Sequence, residues 1–119
     1  MTELAAKLRI VGGRRVHLMR APDRHLALLG PVDRTNGTAD VVMLYSRNRE
    51  QLDRDAAAAT SAVEDEGVLW ICYPKRSAKT PSDLSRDAVR EAMRGHGWRA
   101  VSQVSIDDTW SALRFRPDR

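Results

Sequence analysis

The sequence predicts an α/β fold in which helices pack on a five-stranded mixed sheet, parallel at its centre and antiparallel at its C-terminal strand. Three observations carry that reading. Strand-like and helix-like segments alternate along most of the chain. Two apolar runs, "DVVMLY" (40–45) and "VLWICY" (68–73), lack polar alternation, as expected of central strands covered on both faces. A helical segment separates them, and a helical crossover connects parallel neighbours with right-handed geometry.

The elements follow in order. "RVHLM" (15–19) is apolar and β-branched enough for a first strand. "PDRHLALLG" (22–30) opens with proline and aspartate, which suit a helix start, and ends in glycine. Residues 31–39 read as a loop, with Asn36-Gly37 as a turn. Residues 48–65 form the longest predicted helix, with Leu52, Ala56, Ala59 and Val63 on one face, and Gly67 is expected to end it. A third helix is expected over 84–95: Ser85 caps it, Asp87 complements its dipole, and Leu84 staples onto Val89. "WRAVSQVSI" (98–106) and "TWSALRFR" (109–116), joined at Asp107-Asp108, read as a hairpin or near-neighbour strands. Residues 1–11 are expected to form a short helix or a flexible lead.

At 119 residues the chain suits one domain, 1–119, and a domain of this size buries roughly 65% of its extended-chain surface. Charged residues at 30% and hydrophobic residues at 42% exclude the composition of a disordered chain. Lys+Arg 20 against Asp+Glu 16 gives a charge of +4, but the charges are interleaved, so nucleic-acid binding is not indicated. The sole cysteine, Cys72, excludes an internal disulfide, and "MTELAAKLRI" lacks the apolar core of a secretory signal. No apolar run approaches membrane-spanning length, and the cytoplasm is the expected compartment.

The layout resembles a shortened Rossmann-like fold of the methyltransferase type, with "DVVMLY", "VLWICY", "WRAVSQVSI" and "TWSALRFR" standing where that family's last four strands stand. That resemblance implies a glycine-rich turn after the first strand and an acidic residue ending the second, together forming an S-adenosylmethionine site. Here the first strand runs into "RAPDRHL" without a glycine cradle, and no cofactor is assigned. The motifs "RVHLMRAP", "LLGP", "LWICYPK", "DLSRD" and "SIDDTWSALRFRP" also resemble a family of short bacterial proteins of unknown function, over roughly residues 12–117. That resemblance implies no reaction and assigns no functional residue.

Geometry supplies the candidate site. Parallel strands would bring the loops "RAPD", "SRN" and "PKRSAKT" to one carboxyl edge, where open α/β sheets bind ligands. That rim is expected to hold Arg20, Arg47, Lys75, Arg76, Ser77 and Lys79 beside helix starts near Asp23, Asn48 and Ser85, an arrangement suited to a small anion. "KRSAKT" lacks the glycines of a phosphate-binding loop, and Ser77 and Lys79 are too close for a Ser-x-x-Lys pair. Asp107 and Asp108 would share the rim, either as acid–base or metal-binding carboxylates or as salt-bridge partners of Lys75 or Lys79.

Cys72, His17, His25 and His96 show neither CxxC nor HxxxH spacing, and no metal is expected. Trp70, Trp98 and Trp110 read as core or interface anchors. The competing function is a non-catalytic interaction or homodimerisation module using a sheet edge or an apolar helix face. Whether the protein is an enzyme stays open at this level.

Overall fold

The computed structural model describes residues 2–76 and 82–118. The chain runs through α1 (Glu3–Lys7), β1 (Arg15–Met19), α2 (Asp23–Leu29), β2 (Asp33–Arg34), β3 (Ala39–Tyr45), α3 (Arg49–Ala62), β4 (Val63–Pro74), α4 (Arg86–Arg94), β5 (Trp98–Ser105) and β6 (Trp110–Pro117). These strands form one sheet in the order β2-β1-β3-β4-β6-β5.

The two uninterrupted apolar runs are its centre. β3 and β4 pair in parallel, with Val42 opposite Leu69, Leu44 opposite Ile71 and Tyr45 opposite Cys72. Their side chains alternate between two cores. Val42, Leu44, Leu69 and Ile71 meet Leu52, Ala56 and Ala59 of α3 and Val89 and Met93 of α4. Val41, Met43, Tyr45, Trp70 and Cys72 instead meet Ala5 and Leu8 of the α1 region and Leu29 of α2. Both faces of each central strand are therefore dry, which is why neither shows polar alternation. β6 is antiparallel to β4 and to β5, so the last two strands form the predicted hairpin.

The sheet has six strands, not five. The added one is β2, where Asp33 and Arg34 pair in parallel with Arg15 and Val16 inside the segment expected to be loop. Two polar residues at a sheet edge carry no periodicity from which a strand could be read.

The long helix also ends earlier than its composition suggests. It stops at Ala62, and Val63 is already extended, with φ −84° and ψ 132°. Gly67 accordingly does not end a helix. Ala39 pairs with Val63 and Val41 with Val68, so the segment from Glu64 to Gly67 bulges opposite Asp40. A Cβ on Gly67 would lie 2.8 Å from the Glu64 carbonyl oxygen and 2.9 Å from that of Asp40. The glycine is needed for backbone to approach backbone inside the bulge.

The helix starts agree with their sequence signatures. The Asn48 side chain accepts from the Gln51 N–H, and Ser85 accepts from Ala88 N–H. Leu84 and Val89 are both buried in one core, completing the expected staple. Among the described residues no helix is long and apolar enough to cross a membrane.

Candidate functional site

Because β1, β3 and β4 are parallel, Arg20, Arg47 and Lys75 follow their carboxyl ends and share one edge of the sheet. The sheet order also reverses here: the chain leaves β1 for β2 on one side and continues from β3 on the other. That makes the gap between β1 and β3 the place where an open α/β sheet offers a crevice.

The cations at this edge differ in what they touch. Arg20, at φ 61°, reaches α3 and donates through Nε and Nη2 to the buried carboxylate of Asp55, which Arg54 also pairs at 3.3 Å. Burial alone would raise the Asp55 carboxyl, but hydrogen bonds and charge from Arg20 and Arg54 hold it below the ordinary carboxylate range. Arg20 is thus a strut from the end of β1 to α3. Lys75 donates through Nζ to Ser105 Oγ at 2.6 Å, while its backbone N–H donates to Thr109 at 2.7 Å. Arg76 is exposed. Ser77 and Lys79 lie outside the described residues.

Arg47 is placed differently. Its guanidinium lies 5.4 Å from the centre of the Trp110 ring, and no carboxylate among the described residues reaches it. It lines a shallow depression of about 430 Å³ together with Pro22, Asp23, Arg24, Thr109 and Trp110. Beside it, the buried Ser46 hydroxyl has no hydrogen-bond partner among the described residues.

The helix starts at this edge are engaged by the chain itself. Asp83 accepts from the Arg49 N–H at 2.8 Å, and Gln51 accepts from the Arg47 N–H at 2.9 Å. With the Asn48 cap on the Gln51 N–H, two of the first N–H donors of α3, those of Arg49 and Gln51, are satisfied. Ser82 donates its hydroxyl to the Arg47 carbonyl at 2.7 Å, tying the segment before α4 to the end of β3.

The most connected side chains at this edge are ones the sequence did not single out as a group. His25 of α2, 1% exposed, places Nδ1 2.7 Å from the Tyr45 hydroxyl and Nε2 2.8 Å from Asp107 Oδ2. Asp107 also accepts from the Thr109 and Trp110 N–H groups at 2.8 and 2.7 Å and pairs with Arg24 at 3.3 Å. Burial would raise its carboxyl, yet the hydrogen bonds from His25 and from those backbone groups keep it below the ordinary range. An ionised Asp107 only accepts, so Nε2–H of His25 donates to it.

Burial pushes the Tyr45 phenol upward, so it stays protonated. It touches Cys72, whose thiol burial also pushes up. The resulting chain, Cys72–Tyr45–His25–Asp107, is buried from Cys72 to His25 and partly exposed at Asp107, and each of these side chains has a partner. It braces α2 and the β5–β6 turn against β3. Asp108, by contrast, is exposed. Of this network the sequence placed Asp107 alone at the rim, with Lys75 or Lys79 as its expected partner, whereas its partners among the described residues are His25 and Arg24.

With the edge described, the relatives of the chain take on meaning. The family model described as "Protein of unknown function (DUF3052)" matches residues 29–119. The chain belongs to that family. The matched region includes Arg47, Asp107 and Trp110 and begins after Arg24 and His25. No curated protein matches the chain.

Among solved structures, the ribosomal protein L11 methylase from Lactobacillus delbrueckii subsp. bulgaricus is similar with TM-score 0.66 and 11% identity, over 98% of this chain and 77% of that one. A DhpI–SAH complex is similar with TM-score 0.62 and 12% identity, over 96% of this chain and 82% of that one. A protein of the NADB-Rossmann superfamily from Streptococcus agalactiae gives TM-score 0.56 and 12% identity, over 98% and 68%. These likenesses establish a Rossmann-like fold of the methyltransferase type.

The residues of this DUF3052 chain do not fit the cofactor that such a fold suggests. The turn after β1 has Arg20, Ala21 and Pro22 where a glycine cradle would stand, and Arg20 is tied to Asp55. β2 is only Asp33–Arg34, and Asp33 pairs with Arg15 at the opposite end of β1 from the carboxyl edge. No acidic residue of β2 is therefore placed to hold a ribose at that edge.

Proposed function

We propose that the protein binds a small anionic molecule at the carboxyl edge of its sheet, in the depression between α2 and the β5–β6 turn. The observation that carries this reading is Arg47. Its guanidinium is held over Trp110 at the sheet's point of reversal, free of any carboxylate among the described residues. Arg24 lines the same depression, and Lys75 and Arg76 follow the neighbouring strand. A guanidinium pre-placed by an aromatic ring meets a phosphate or carboxylate with little loss of side-chain freedom. No methyl-transfer step is assigned, because the cofactor-binding features are missing.

The alternative, a homodimerisation or interaction module, has less to rest on: the exposed large apolar side chains of the described residues are Val11 and Leu28. The test is thermal unfolding of wild type and Arg47→Gln with a panel of phosphorylated and carboxylated metabolites at low ionic strength. Wild type is expected to be stabilised, less so as salt rises, and Arg47→Gln not at all. A wild type indifferent to the whole panel overturns the reading, and self-association on concentration would then favour the alternative.

A further inference from the structure

A second, larger hollow of about 540 Å³ lies at the opposite, amino edge of the parallel strands. It is lined by Arg9 and Arg14 from the segment before β1, Trp98 and Arg99 from β5, and Arg114 and Arg116 from β6. Its origin is visible in β6. Trp110 and Ala112 are buried on the α1/α2 side of the sheet, and the residues that continue that alternation are Arg114 and Arg116. The strand changes from core to guanidinium along one face.

This clustering is costly. Arg99 stands directly opposite Arg116 across the β5–β6 ladder, and like charges in that relation destabilise a sheet. Among the described residues none of the five arginines lies within ion-pair distance of a carboxylate. Arg114 donates to Ser102 Oγ at 3.1 Å and Arg14 to the Arg9 carbonyl at 3.0 Å, contacts that orient the groups without neutralising them. Burial first, then the charges of Arg9 and Arg116, pull the Arg114 guanidinium below its ordinary range. Glu64, Asp65 and Glu66 of the β4 bulge line the same hollow, beyond ion-pair distance of these arginines.

Converging guanidiniums are suited to phosphate, whose oxygens accept paired N–H donors. Trp98, only partly buried, packs against the α3/α4 core on the other face of the sheet and presents its exposed part at the margin of the same hollow. The volume falls within the range of about 300–1,000 Å³ usual for small-ligand sites. We propose that the amino-edge cleft binds the phosphate and planar base of a nucleotide, free or as part of a single strand, through its arginines and Trp98. This site is separate from the rim around Arg47, and its partner chemistry arises only where β5, β6 and the segment before β1 meet.

The test is calorimetric titration of the full chain at low salt with ADP and, separately, with a short single-stranded oligothymidylate. Wild type is expected to bind at least one of them. Arg114→Gln/Arg116→Gln should weaken that binding by more than about tenfold, while Arg90→Gln, at an exposed position of α4 outside both depressions, leaves it unchanged. Glu64→Gln/Glu66→Gln should tighten it by removing the opposing charge, a gain that a misfolded variant cannot imitate. Binding of ADP identifies a free-nucleotide site; binding of the oligonucleotide alone, with steep salt dependence, identifies a strand site. Failure of both ligands to bind wild type overturns the proposal. So does undiminished binding by the natively folded arginine double variant, and a loss confined to Arg47→Gln would place the binding at the rim instead.

Discussion

His25 Nε2 lies 2.8 Å from Asp107 Oδ2, although 82 positions separate the two residues in the chain. The contact closes the end of the sheet, since His25 rides on α2 and Asp107 on the β5–β6 turn. With Tyr45 on its other nitrogen, the imidazole has no unpaired ring atom.

His25→Leu removes both partners at once and leaves the Tyr45 hydroxyl and an Asp107 oxygen without their donor or acceptor. The expected cost is about 2–4 kcal/mol, read from urea unfolding, with the far-UV spectrum unchanged. Tyr45→Phe should cost less, about 1–2 kcal/mol, because it strands only the imidazole nitrogen. Equal stabilities of His25→Leu and wild type would show that the network does not brace the fold.

The lowered carboxyls set an acid limit on stability. Asp107 titrates below its ordinary value of 3.8 in the folded protein, so its contribution is fully present above that value. It is lost as pH falls through the lower, folded value. Asp55 acts in the same direction through Arg20 and Arg54. Stability should therefore fall on acidification below about pH 4. Asp107→Asn should be less stable at neutral pH and lose less on acidification than wild type, as followed by chemical unfolding across a pH series.

Cys72 is fully buried between β3 and β6, and burial pushes its thiol upward. A disulfide reagent should label the native protein no faster than it unfolds, and at once in denaturant. Cys72→Ser is expected to cost on the order of 1 kcal/mol. Immediate labelling of native protein would contradict this placement.

Gly67→Ala tests the bulge. The added methyl would meet two carbonyl oxygens and the Val63 side chain at under 3 Å, two of them backbone atoms that cannot swing aside. A loss of about 1–3 kcal/mol is expected in equilibrium unfolding. An unchanged midpoint would mean that the Glu64–Gly67 segment relaxes freely.

How much of this was legible follows the range of the forces involved. The centre of the sheet was readable because Val41 to Tyr45 and Val68 to Tyr73 are apolar at every position, which only a strand dry on both faces tolerates. The starts of α3 and α4 were readable because Asn48 and Ser85 bond to N–H groups three residues away. β2 was not, because two polar residues pair only once β1 is beside them. The true end of α3 was hidden because alanine-rich sequence favours helix, while the pairing of Val63 with Ala39 decides otherwise.

The edge divides the same way. Topology alone brought Arg20, Arg47 and Lys75 to one side of the sheet, and parallel pairing placed them there. Which of them is spent on a partner was decided by tertiary structure, as Asp55 takes Arg20 while Trp110 supports an Arg47 that meets no carboxylate among the described residues. The sequence by itself determined the layers, the order of elements apart from β2, and the burial of Trp70 and Cys72, because periodicity and caps act over a few residues. The His25–Asp107 contact and the arginine cleft were decided only by the folded chain, because charge and hydrogen-bond partners depend on where distant turns come to rest, and no local pattern encodes that.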